Sequence, residues 1–147
     1  MSFALSDLAP GDYAAWRPLW DAYCTFYKAD VPEHVTARSW QRLIDPQFPL
    51  YGRVVRMQGR IVGFATHVPH VSTWQEGAAC YLEDLFVATE ARGTGAGRAL
   101  IDDLLSICER RGWERLYWVT DNDNATARRL YDCYTPADGI VRYSLKL

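Results

Sequence analysis

The chain has 147 residues, enough for one domain that hides about two-thirds of the surface its unfolded form would expose. Its 49% hydrophobic and 23% charged residues fit a globular protein, and a formal charge of −2 lacks the basic excess of a nucleic-acid binder, so no nucleic-acid partner is expected. No window approaches a membrane span, and the first residues, Met1-Ser2-Phe3-Ala4-Leu5, show no basic, continuously apolar leader, which points to a cytoplasmic protein without a membrane partner.

Residues 3–8 read as a first strand, ended by Pro10-Gly11-Asp12. Trp16, Leu19, Trp20, Tyr23 and Tyr27 then recur at helical spacing. Pro32 and Glu33 start a second helix carrying Val35, Trp40, Leu43 and Ile44, closed near Pro46. Here the period changes. Residues 52–57 and 60–68 read as strands joined by a hairpin turn at Gln58-Gly59. Residues 71–77 are a loop or an extension of the second strand, and residues 81–87 a further strand. After a glycine-rich run, a helix over residues 98–111 carries the stripe Ile101, Leu104, Leu105 and Cys108, with Gly112 as its stop. Residues 116–120 form a short apolar run that suits a strand buried on both faces. Asn124 caps a helix whose Ala127, Leu130, Tyr131 and Tyr134 share a face, and residues 139–147 end the chain as a strand. This order places the chain in the α/β (mixed α+β) class: one domain, residues 1–147, with a mixed central sheet and helices on both faces. Cys24, Cys80, Cys108 and Cys133 have no paired spacing and are expected to be buried free thiols.

The chemistry concentrates at Arg92-Gly93-Thr94-Gly95-Ala96-Gly97, between a strand and a helix start. Glycines remove the side chains that keep an anion from backbone N–H groups, and a helix N-terminus favours phosphate. Arg92 adds a forked cation. A nucleoside-triphosphate loop needs Lys-Ser/Thr after its last glycine, where this chain has Arg98-Ala99. A dinucleotide fingerprint needs a glycine where this chain has Leu100. What remains, Arg-x-x-Gly-x-Gly, resembles the acetyl-CoA signature of the GCN5-related N-acetyltransferases (GNAT). Asn124-Ala125-Thr126-Ala127-Arg128-Arg129-Leu130-Tyr131 resembles the second signature of the same family, Asn-x-x-Ala-x-x-Leu-Tyr. The likeness covers residues 81–131; beyond it, Gly139-Ile140 comes later than the family's Gly-Phe, so the last helix and strand are expected to be joined differently.

The resemblance implies acetyl transfer from acetyl-CoA to an amine by direct attack in a ternary complex. It implies a splayed strand pair holding the cofactor: its pantetheine along the backbone of Leu85, Phe86 and Val87, its pyrophosphate on residues 92–97 and Arg98. Asn124 would contact the cofactor or cap its helix, and Tyr131 matches the family's general acid. No metal is implied; His67 and His70, three apart on a strand, face opposite sides. Leu82-Glu83-Asp84-Leu85-Phe86-Val87 resembles the corresponding strand of diamine, thialysine and yeast Hpa-type acetyltransferases, where acidic positions serve amine binding or base catalysis. Adjacent in a strand, Glu83 and Asp84 are expected to face opposite sides, leaving either as the base. Trp20, Tyr27, His70, Trp74 and Glu83 are the expected acceptor contacts, with His67, Trp16 and Tyr23 as further wall candidates. The acceptor implied is a small-molecule amine (a polyamine, diamine or amino acid). A protein lysine such as a histone tail, or a silent acetyl-CoA-binding module, are the alternatives. The aromatic excess and the subgroup's oligomeric habit imply a homodimer, for which the last strand, residues 140–147, offers an edge.

Overall fold

Strand alternation and helical periodicity meet in one sheet flanked by helices, and the computed structural model describes residues 2–147. Met1, read above with the leader, lies outside them. In chain order the elements are β1 (Phe3–Asp7), a 3-10 turn (Pro10–Asp12), α1 (Tyr13–Phe26), α2 (Glu33–Leu43), β2 (Tyr51–Met57) and β3 (Arg60–His70). Then follow β4 (Ala79–Val87), a second 3-10 turn (Thr89–Ala91), α3 (Ala96–Arg111), β5 (Arg115–Tyr117) and α4 (Ala125–Tyr131). The strands lie in sequence order; β1 to β4 pair antiparallel, and β5 runs parallel to β4. The β2–β3 hairpin turns at Gln58 (φ 53°) and Gly59 (φ 79°), the paired positive angles that match strand twist.

Strand alternation sends alternate residues to two cores. Val54, Phe64 and Phe86 meet Trp16, Trp20, Tyr23, Trp40 and Leu43 from α1 and α2 on one face. Val55, Val62, Ala65, Cys80 and Leu82 meet Leu100, Leu104, Ile107 and Cys108 of α3 on the other. The buried stripe of α3 is thus Leu100, Ile101, Leu104, Ile107 and Cys108, not the expected stripe through Leu105, which is 43% exposed. The helix is rotated so that two adjacent residues per turn face the sheet, the wide apolar stripe of a core helix. Arg53 in β2 grips Asp103 of α3 in a two-pronged ion pair, Nε–Oδ2 at 2.7 Å and Nη2–Oδ1 at 2.9 Å. Gly112 at φ 71° ends the helix, as expected.

Three expectations need correction. The strand expected over residues 116–120 is only Arg115–Tyr117 and is half exposed, because the chain leaves β4 after the Tyr81–Tyr117 pairing. The terminal segment, residues 139–147, forms no strand and lies exposed, because no strand edge of the chain pairs with it among the described residues. Of the four cysteines, all free, Cys80 and Cys108 are buried, but Cys24 is half-buried and Cys133 exposed.

Candidate active site

The cradle has the geometry that its glycines suggest. Gly93 (φ 77°) and Gly95 (φ 97°) occupy the left-handed region, which L side chains enter only with strain. Among the described residues, the N–H groups of residues 93–98 have no hydrogen-bond partner; the first bond of α3 runs from Ala99 N–H to Gly95 O at 2.9 Å. Six neighbouring unpaired donors at a 16-residue helix start fit a diphosphate. The Thr94 hydroxyl turns back to Ala91 O. Gly97 serves another purpose: a methyl there would sit 3.2 Å from Leu130 Cδ2, so its absence lets α4 seat against α3. The Arg92 side chain is spent elsewhere, donating from Nε to Val87 O at 3.2 Å and resting over the Phe86 and Phe26 rings. The Arg98 guanidinium lies over the Tyr134 ring. Only the backbone of these two arginines is therefore positioned in the cradle.

Beside the cradle, β4 and β5 splay. Their ladder covers Ala79 to Tyr81 alone, so residues 82–87 of β4 pair only with β3 and leave an open edge toward α4. Leu85, Phe86 and Val87 present backbone to that gap; the Phe86 ring turns into the α1 core, and Leu85 and Val87 turn toward α3. Across the gap stands Tyr131 at the end of α4, its ring edge-on to Trp118 at 5.4 Å. Burial first, then the nearby Tyr27, pushes its phenol up to about 12, so it remains a proton donor at neutral pH. Asn124 caps this helix: its Oδ1 accepts from Ala127 N–H at 3.3 Å and its Nδ2 donates to Thr120 Oγ1 at 3.2 Å. Those bonds set the height of Tyr131.

The register between β3 and β4 slips by one residue: Thr66 opposes Asp84 while His67 opposes Leu82, leaving Glu83 as the bulged residue. The bulge overturns the expectation that Glu83 and Asp84 face opposite sides. An extra residue breaks the alternation, and both carboxylates line one cavity of about 270 Å³ with Trp16, Trp20, Ser39, Leu43, Leu50, Thr66 and Val68. Asp84 accepts a short hydrogen bond from Thr66 Oγ1, and the Tyr23 hydroxyl of α1 reaches the same carboxylate. Burial raises the pKa of Asp84 against the pull of those two donors. Glu83 is raised by burial and then by repulsion from Asp84. Tyr23 is held protonated by burial and by the Asp84 charge. Trp20 roofs the cavity, tied to α2 through Nε1–H to Thr36 Oγ1 at 3.0 Å.

The structure gathers Trp20, Glu83 and Asp84 at this cavity and sets Tyr131 beyond it at the β4–β5 gap, with Tyr27 between the Tyr23 ring (4.9 Å) and Tyr131. His70 and Trp74 are not among the lining residues. His70 Nε2 lies 2.7 Å from the Tyr117 hydroxyl, and Trp74, 81% exposed, stacks under Arg115. His67 is buried on the opposite face, stacked on Tyr51 (5.3 Å) and edge-on to Trp113 (5.9 Å). Sequence reasoning missed Thr66, whose only signal was a hydroxyl in an apolar strand, and Ser39, Leu50 and Val68, which carried none. Among the described residues no group of three His, Cys, Asp or Glu side chains is placed to hold a metal.

The comparisons with known proteins agree with this layout. The sequence pattern described as the Acetyltransferase (GNAT) family matches residues 15–133, a span holding the cradle, both carboxylates and Tyr131. The D-amino-acid N-acetyltransferase HPA3 of Saccharomyces cerevisiae is 36% identical over 126 residues, 84% of this chain and 78% of the yeast protein. The uncharacterized N-acetyltransferase YhfO of Bacillus subtilis is 30% identical over 139 residues, 92% of each chain. In fold, AAC(6')-Iy in complex with the bisubstrate analogue CoA-S-monomethyl-acetylneamine matches with a TM-score of 0.83 at 14% identity, covering 100% of both chains. The architecture is thus the GNAT fold, the yeast relative bears out the Hpa-type resemblance, and the chain, an acetyl-transferring enzyme, belongs to the Acetyltransferase (GNAT) family.

Proposed function

We propose that the chain acts as a single N-acetyltransferase domain over residues 1–147, in the cytoplasm and as a homodimer, moving acetyl from acetyl-CoA to the primary amine of a small molecule. The observation that carries the reading is the β4 bulge, which puts two carboxylates with raised pKa into one aromatic-roofed cavity beside the open β4 edge. A carboxylate pair attracts an ammonium group, and the indole roof suits its alkyl stem. Asp84, fixed by Thr66 and Tyr23, is the base that takes the ammonium proton, and Glu83 holds the incoming cation. The freed amine attacks the thioester carbonyl, polarised by a backbone N–H of residues 85–87. As the C–S bond breaks, the Tyr131 hydroxyl donates to the leaving sulfur. The unpaired N–H groups of residues 93–98 hold the diphosphate.

Amino acids are the first acceptor class we propose, since the yeast relative is a D-amino-acid N-acetyltransferase. Polyamines and diamines are the second reading, favoured by the paired rather than single carboxylate. The test is acetyl-CoA consumption with D- and L-amino acids, diamines, polyamines and a lysine-rich peptide as acceptors. Turnover with amino acids above all others supports the first reading, and turnover confined to diamines and polyamines the second. Turnover confined to the peptide, or none with any acceptor, refutes both.

A further inference from the structure

The cavity beside β4 carries charge at one end only. Glu83 and Asp84 occupy its β4 side, toward the gap where the thioester would lie. The opposite wall is made by Leu43 of α2, Leu50 just before β2 and Val68 of β3, beneath the Trp16 and Trp20 rings. Leu50 precedes Tyr51, which pairs with His67, and His67 pairs in turn with Leu82 of β4. Two strand spacings, about 10 Å, therefore separate Leu50 from the strand that carries the acids. Leu50 and Val68 are only half-buried, which leaves apolar surface for an occupant to cover.

That wall has no means of holding a second cation. Its polar atoms are the Ser39 hydroxyl and the Trp16 Nε1–H, a donor buried without a partner. A donor hydrogen disfavours an ammonium group beside it, and an ammonium buried without an anion is an uncompensated charge. The paired acids do not change this. They are neighbours on one strand, whereas the two cations of a diamine sit at opposite ends of its chain. A diamine would place its second ammonium among the leucines, or keep it in water and leave the wall uncovered. An amine with one positive charge and an apolar substituent meets neither penalty and gains the burial. At about 270 Å³ the cavity falls just below the common ligand-pocket range of about 300–1,000 Å³, so the substituent is small.

Given acetyl transfer to a small-molecule amine, as proposed above, we infer that the acceptor is a monocationic amine whose apolar group, of leucine or phenylalanine size, rests on Leu43, Leu50 and Val68. Its ammonium lies between Glu83 and Asp84. The wall thus selects against diamines and polyamines, and Leu50 is a specificity-determining residue. No Lys, Arg or His lines the cavity, so a free carboxylate gains no partner inside it. An apolar amino acid and its decarboxylated amine are two sources of the same chemistry.

The test measures kcat/KM with acetyl-CoA and a panel of acceptors: leucine and phenylalanine of both hands, isopentylamine, phenethylamine, serine and cadaverine. Burying a side chain of this size predicts an advantage of about tenfold to about 150-fold for the apolar acceptors over serine and cadaverine. Phenylalanine against phenethylamine tells the two sources apart, and either order upholds the inference. Equal or better turnover of serine or cadaverine overturns it while leaving acetyl transfer standing. No turnover with any acceptor overturns the acetyl-transfer reading and the inference with it. Leu50→Asp puts an anion opposite the first pair; it should cost the apolar acceptors at least about tenfold and raise cadaverine by a similar factor, with acetyl-CoA affinity unchanged by calorimetry. Leu50→Ala, a milder change should the aspartate variant not fold, should raise KM for the apolar acceptors severalfold and leave kcat and the serine reaction alone. An acceptor order unchanged in the folded variants, or an equal loss with every acceptor, refutes the role of the wall.

Discussion

Replacing Tyr131 with Phe removes one hydroxyl and keeps the ring that meets Trp118 edge-on, so it separates chemistry from packing. Burial places the phenol at about 12, well above the ~8.5 of an ordinary thiol. Complete transfer of its proton to a thiolate is therefore uphill by about 5 kcal/mol. The hydroxyl contributes instead as a hydrogen-bond donor to sulfur while negative charge builds. A bond to a charged acceptor is worth about 1.5–3 kcal/mol, which converts to a fall in kcat of about tenfold to about 150-fold. Acetyl-CoA affinity should hold, because the bond strengthens only in the transition state. Steady-state rates on an active acceptor, with calorimetry for acetyl-CoA and a melting curve for each protein, check this. The same pKa predicts that Tyr131 contributes no basic limb to the rate profile below about pH 11. A folded Tyr131→Phe enzyme whose kcat stays within threefold of the parent would refute the reasoning.

Asp84→Asn should lower kcat/KM by about 10²–10⁴ and abolish the acid limb of its pH profile. It should also raise Tm at neutral pH: a buried acid with a raised folded pKa costs stability as pH climbs through that pKa, and the amide carries no such cost. Gly95→Val, at φ 97°, should cost about 1–2 kcal/mol in stability and weaken acetyl-CoA binding by more than tenfold, measured by calorimetry on protein shown to be folded; unchanged affinity would count against the cradle. His67, its pKa lowered to about 4 chiefly by burial, is neutral in the folded protein. The unfolded chain takes up its proton first, so stability falls as pH drops from about 6.5 toward 4, by about 3 kcal/mol in all. In His67→Phe, whose ring fits between Tyr51 and Trp113, the drop in Tm between pH 7 and 4.5 should shrink measurably; an unchanged drop would remove His67 as its source.

The periodic parts of the fold were legible because each wrote its period over enough residues. The aromatic stripe of α1, the β2–β3 hairpin with its turn at Gln58-Gly59, and the glycine at the end of α3 all appear where the pattern puts them. Short or frustrated elements were not. Residues 118–120 are as apolar as a strand, but the splay from β4 deprives them of a partner, and no local signal reports a missing neighbour. Leu105 failed similarly: its spacing from Ile101 and Cys108 fits a stripe, but the position of the sheet decided which stripe faced inward.

The site was legible to the extent that it is written in backbone requirements. The glycines of residues 93–97 were read as leaving backbone N–H groups open and Asn124 as a helix cap; those N–H groups are unpaired, and Asn124 caps α4. The relation between Glu83 and Asp84 was illegible because strand alternation fails where β4 carries an insertion against β3, as it also does at Val62, which β3 inserts against β2. Nothing in Leu82-Glu83-Asp84-Leu85 marks the insertion; it exists in the pairing with Thr66 and His67, eighteen positions upstream of Asp84 at its nearest partner. That irregularity is also what gives the cavity its chemistry. With regular alternation, one carboxylate would point into the α3 core and demand a partner there, and the other would face an incoming cation alone. The bulge spares the core a buried charge and sets two acids side by side, burial raising the pKa of both and the Asp84 charge adding to the rise at Glu83, at the place where an ammonium group must give up its proton.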